Sequence, residues 1–149
     1  MNNPTKLRNN LLHNFRTFVR RKIMKIFNKI KFLLTKPKVV VIIGQGRKAA
    51  KEAIFQVLKQ HFKVGKDVFI FATEDKKVNR FVFFLKNSKL PILAITGINE
   101  TSLVKNLPAN TCLVLNFDND AVKEMENLAN ANTLTFGFQE KADILISDV

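Results

Sequence analysis

Two patterns of apolar and polar positions divide the chain. Between residues 5 and 34, Leu7, Leu11, Phe15, Phe18, Val19, Ile23, Ile26, Phe27, Ile30, Leu33 and Leu34 recur at steps of three and four. That is the period of a helix with one apolar face. Arg8, Arg16, Arg20, Arg21, Lys22, Lys25 and Lys29 mostly fall between those positions. Asn2-Asn3-Pro4-Thr5 predicts the helix entry and Pro37 its end. From Lys38 onward, short apolar runs alternate with amphipathic stretches. Val39-Val40-Val41-Ile42-Ile43 is a continuous β-branched run, as found in strands buried on both faces of a parallel sheet. Val68–Phe71, Pro91–Thr96, Thr111–Asn116, Thr133–Phe136 and Asp143–Ile146 read as further strands. Lys48–His61, Val78–Lys86 and Asp120–Ala129 read as helices. Strands alternating with helices predict a three-layer α/β domain with a mainly parallel sheet over 38–149, preceded by a basic amphipathic helical extension over 1–37.

Composition sharpens that division. The chain of 149 residues carries a net charge of +13, which suggests a nucleic-acid binder until the charge is located. Residues 1–38 hold eleven Lys/Arg and no acid, whereas residues 39–149 hold fourteen basic and twelve acidic residues. The basic character therefore belongs to the N-terminal helix. Such a helix can dock on the protein's own body or a partner, lie on an anionic membrane through residues 5–34, or bind nucleic-acid phosphates. One cysteine, Cys112, and two histidines, His13 and His61, exclude a disulfide framework and a zinc cluster. No apolar run approaches the roughly 18 residues of a membrane span, and no signal-peptide pattern precedes the domain. The fourteen phenylalanines, with no Trp or Tyr, read as core.

Candidate chemistry concentrates where the first strand meets the first long helix of the α/β part, at Gly44-Gln45-Gly46-Arg47-Lys48-Ala49-Ala50-Lys51. Glycines let the backbone turn tightly, and amides at a helix start attract anions. Positive side chains in the first turn oppose the helix dipole, a conflict that a bound phosphate relieves. A solvated strand-to-helix turn fits the same residues. A P-loop follows its phosphate-binding lysine with a hydroxyl for magnesium, but here Lys48 or Ala49 stands at that position. The turn therefore fits phosphate binding and a plain solvated turn equally, and argues against magnesium-assisted phosphoryl transfer.

Four ordered stretches resemble the central ATP-binding domain of the Mur ligase family, and most resemble the branch that adds D-alanyl-D-alanine to the UDP-muramoyl tripeptide. The stretch from Lys36 to Ile54 is similar to the family's first strand running into G-x-x-G-K-T-S-T-K-E-A-I: Gly46, Lys51, Glu52, Ala53 and Ile54 match, Arg47 replaces the lysine, and Lys48-Ala49-Ala50 replace the hydroxyl run. Thr96, Ile98, Glu100 and Leu103 match T-N-I-G-E-A-H-L, with Ser102 at the histidine. Leu107-Pro108-Ala109 and Leu115-Asn116-Phe117-Asp118-Asn119 resemble the L-P and L-N-x-D-D segments, where the family's asparagine lies by the nucleotide base. Leu134-Thr135-Phe136-Gly137 and Ala142-Asp143-Ile144 resemble the closing T-F-G and A-D segments.

The resemblance implies a P-loop-like fold; the glycine turn offers Gly44, Gly46, Arg47 and Lys48 for a nucleotide or phosphate, and Asn116 and Asp118 are the positions carried over from the family. The family reaction activates a carboxylate with ATP and forms an amide in peptidoglycan precursor synthesis, in the cytoplasm. The segment from Phe62 to Leu90 is too short for the family's substrate loop and its E-M-G metal-binding strand. Glu74 and Asp75 within it read as a solvated polar turn. The expectation is a degenerate, ATP-binding domain with weak or no ligase activity by itself, no metal site, and a partner protein supplying the family's other domains. The alternative is a non-enzymatic interaction module that uses the basic helix, at the inner face of a membrane or on a partner.

Overall fold

The computed structural model describes residues 4–97, 104–105, 107–128 and 131–147. It divides into two units, Met1–Thr35 and Lys36–Val149. The first is one helix, α1 (Pro4–Thr35). Its end is set locally. The Thr35 hydroxyl donates to the Lys31 carbonyl at 2.9 Å, Lys36 adopts a left-handed φ of 41°, and Pro37 cannot continue a helix.

The second unit is an α/β domain around a six-stranded, all-parallel sheet ordered β2-β1-β3-β4-β5-β6. Its elements are β1 (Lys38–Ile43), α2 (Arg47–Leu58), β2 (Val68–Ala72), a 3-10 helix (Asp75–Phe81), α3 (Val82–Lys86), β3 (Leu90–Ile95), β4 (Cys112–Asn116), α4 (Asp120–Leu128), β5 (Asn132–Gly137) and β6 (Ile144–Leu145). Six strands therefore stand where the apolar runs predict them. The stretch expected as one helix over Val78–Lys86 begins earlier, as a 3-10 turn from Asp75, and becomes α-helical only at Val82.

β1 lies between β2 and β3 and has no solvent-facing side, which explains its unbroken β-branched sequence. Val40 and Ile42 on one face pack with Val68 and Ile70 beneath Ala50, Ile54, Phe55 and Leu58 of α2. Val39, Val41 and Ile43 point to the opposite face, the last two in register with Leu93 and Ile95 of β3 and, through them, Leu113 and Leu115 of β4. All seven are fully buried. On that side Phe71 of β2 meets the rings of Phe81 and Phe84 at 4.9 and 5.6 Å, which seats the 3-10 helix and α3 opposite α2. The topology requires this arrangement. The β1–β2 connection steps one way across the sheet and the later connections step the other, so right-handed crossovers place their helices on opposite faces.

At the far edge, β6 is held by a reciprocal pair. Thr135 donates to Asp143 Oδ2 through its amide and its hydroxyl, both at 2.7 Å. The Asp143 amide returns a bond to Thr135 Oγ1 at 2.9 Å. The two donations hold the Asp143 carboxyl below its usual range, the amide contributing most.

Two predictions follow from the packing. Among the described residues, Thr111 carries a buried hydroxyl without a hydrogen-bond partner. Thr111→Val should therefore raise unfolding stability by about 1 kcal/mol in urea titration. For Asp143, the lowered folded-state pKa means that the stabilisation is present above the unfolded value and is lost as pH falls through the folded one. The melting-temperature gap between wild type and Asp143→Asn should be widest above pH 3.8, the group's ordinary value, and should close as the solution is acidified below it.

Candidate functional site

The strand order reverses direction between β1 and β3: the chain leaves β1 towards β2 and then returns past β1 to β3. Open α/β sheets form a crevice at the carboxyl ends of the strands at such a switch point. Here it is a cleft of about 770 Å³. Gly44, Gln45 and Arg47 line it from the β1–α2 turn, and Glu74, Asp75 and Lys76 from the segment after β2. Thr96 and Gly97 follow β3, and Asn116, Asp118 and Asn119 follow β4. Segments as far apart in sequence as residues 44 and 119 therefore share one rim.

The β1–α2 turn is shaped by backbone constraint. Gly44 is buried with φ of 99°, and a Cβ there would stand 2.6 Å from the Gly97 nitrogen and 2.7 Å from Thr96 Oγ1. Only glycine satisfies both conditions. Gly46, φ 69°, precedes the first residue of α2, and the Ala50 amide closes the first helical bond to its carbonyl at 2.9 Å. The amides of Arg47, Lys48 and Ala49 precede that bond and have no partner one turn back along the helix. Arg47, half-buried, donates through Nη1 to the Gly44 carbonyl at 3.1 Å, so its guanidinium is tied to the turn.

A chain of side chains links the remaining strand ends. Thr96 Oγ1 lies between the carbonyls of Ile43, at 3.0 Å, and Gln45. Asn116 Nδ2 donates to the Thr96 carbonyl at 3.1 Å, while Asn116 Oδ1 accepts from the Asp118 amide at 3.1 Å. The Asp118 carboxylate accepts from the Phe138 amide at 3.0 and 3.2 Å, and a Cβ on Gly137 would come within 2.7 Å of it. The L-N-x-D and T-F-G stretches are thus in direct contact, with glycine at 137 leaving room for the acid at 118.

The charges are mixed. Arg47 and Lys76 face Glu74, Asp75 and Asp118 around the cleft. Glu74 forms an ion pair with Lys77 at 2.6 Å. That hydrogen bond and the Lys77 charge hold its carboxyl below its usual range, with Arg47 adding in the same direction. Among the described residues no three His, Cys, Asp or Glu side chains are grouped to hold a metal ion.

Of the residues singled out from sequence, Gly44, Arg47, Asn116 and Asp118 line the cleft. Gly46 and Lys48 are exposed and lie outside its lining. Glu74 and Asp75, read from sequence as a solvated turn, belong to the rim. The signal that marks them is their position just beyond the apolar run Val68–Ala72, at the end of a strand adjacent to β1. Ile98, Glu100, Ser102 and Leu103 of the second resembling stretch lie outside the described residues. No protein-family model matches the chain, and no curated protein does.

The geometry predicts unequal costs at the two glycines of the turn. Gly44→Ala should lower stability by more than about 2 kcal/mol, through overlap with Gly97 and a strained φ. Gly46→Ala meets open space and should cost only about 1 kcal/mol, from its φ alone. Urea unfolding of both variants checks the order.

Proposed function

We propose that residues 36–149 form a degenerate Mur-ligase-like domain that binds a nucleotide or phosphate in the switch-point cleft and has weak or no ligase activity by itself. The observation that carries the reading is the meeting of Gly44, Arg47, Thr96, Asn116 and Asp118, from three of the four resembling stretches, around one cleft. The first-turn amides of α2 and the guanidinium of Arg47 supply donors for a phosphate. Asn116 already uses one amide hydrogen and its carbonyl oxygen within the protein. It retains a second amide hydrogen for a base acceptor.

The chain's residues do not fit the magnesium ion of the family reaction. Where a hydroxyl would bind the metal after the phosphate-binding cation stand Lys48 and Ala49, and among the described residues no three His, Cys, Asp or Glu side chains are grouped to hold a metal ion. The reading places the protein with the cytoplasmic nucleotide pool, and a partner protein carrying acceptor and sugar-nucleotide sites would complete the family reaction.

Calorimetric titration of ATP into the pure protein tests this. Saturable binding should persist without magnesium and fall about tenfold or more in Arg47→Ala, which removes a charge-assisted contact. Lys48→Ala, outside the cleft lining, should change affinity less than about twofold. Absence of binding up to millimolar ATP, or equal losses in the two variants, would overturn the assignment.

A further inference from the structure

α1 is a single helix of 32 residues, about 48 Å long. At 100° per residue, Ile23, Ile26, Phe27, Ile30, Leu33 and Leu34 fall within one arc of about 120°. All six are exposed, from 39% at Leu33 to 81% at Leu34. Arg20 and Lys31 border the arc on one side and Lys22 on the other, and no acid occurs in the chain before Glu52. Among the described residues no helix is long and apolar enough to cross a membrane.

We propose that α1 lies in the plane of an anionic membrane surface, its six apolar side chains in the acyl boundary and its arginines and lysines among the headgroup phosphates. The charge pattern selects this occupant. A second copy of the helix would bring like charges together along both borders of the arc, with no acid to pair them. A nucleic acid would use the cations and leave six large apolar side chains in water. A lipid surface satisfies both features at once: apolar burial and phosphate attraction act on the same helix. The proposal is independent of nucleotide binding in the cleft.

The test is co-sedimentation of the full chain with vesicles of phosphatidylglycerol and phosphatidylcholine, against pure phosphatidylcholine vesicles, at two salt concentrations. The protein should pellet with the anionic vesicles and be released as salt rises. Ile26→Glu/Phe27→Glu should weaken partitioning at least tenfold, and Arg20→Ala/Arg21→Ala/Lys31→Ala at least about tenfold. Both variants should keep the wild-type melting temperature, because the substituted positions are exposed. No pelleting, equal pelleting with neutral vesicles, or pelleting unchanged by the glutamates would overturn the proposal. So would a dimer dissolved by Phe27→Glu without vesicle binding, a melting temperature lowered by the glutamates without vesicle binding, or tight binding to a DNA duplex without vesicle binding.

Discussion

The carboxyl ends of β1 and β3 approach so closely that the backbone of Gly44 rests against Gly97 and the Thr96 hydroxyl. The rest of the α/β unit depends on that approach. It holds the turn into α2 at the point where the strand order reverses, so the start of the helix and the segment after β3 form two walls of one cleft. The Ile42 and Ile43 carbonyls accept from Thr73 on one side and Thr96 on the other, at 3.0 and 3.1 Å. β1 is thereby tied at its end to both neighbours. A side chain at 44 would push the two ends apart and widen the cleft at its base.

From Thr96 the same logic spreads across the sheet. Asn116 binds the Thr96 carbonyl, and Asp118 reaches the Phe138 amide, so the ends of β3, β4 and β5 are linked by side chains as well as by the ladder. These polar groups thus have two roles, bracing the rim and lining the cleft. Of the three carboxylates on the rim, Glu74 pairs with Lys77 and Asp118 accepts from a backbone amide. Arg47 remains the cation anchored in the β1–α2 turn.

The two units obey different physical rules. The α/β unit is held by burial on both faces of β1, with the core divided between α2 on one side and the 3-10 helix and α3 on the other. α1 carries an exposed apolar arc that a single helix cannot bury by itself, and a high density of one sign of charge. The two readings, anion recognition in a cleft and contact with an anionic surface, therefore rest on separate residues and stand or fall separately.

The linear pattern by itself marked the strands and the long helices, while the 3-10 turn from Asp75 into Val82 was set by packing. Val39–Ile43 read as a doubly buried strand, because a continuous β-branched run has no polar side to offer water. The three- and four-residue spacing over residues 5–34 likewise predicted one helix, and the glycines at 44 and 46 marked the turn. Local periodicity contains nothing about which strands become neighbours, so the places of Glu74 and Asp75 on the rim and of Lys48 outside the lining, and the bond of Asp118 with the Phe138 amide, are not legible in it. Strand order decided those. Crossovers returning past β1 bring together chain segments separated by tens of residues, and only that long-range packing determines which side chains face a common space.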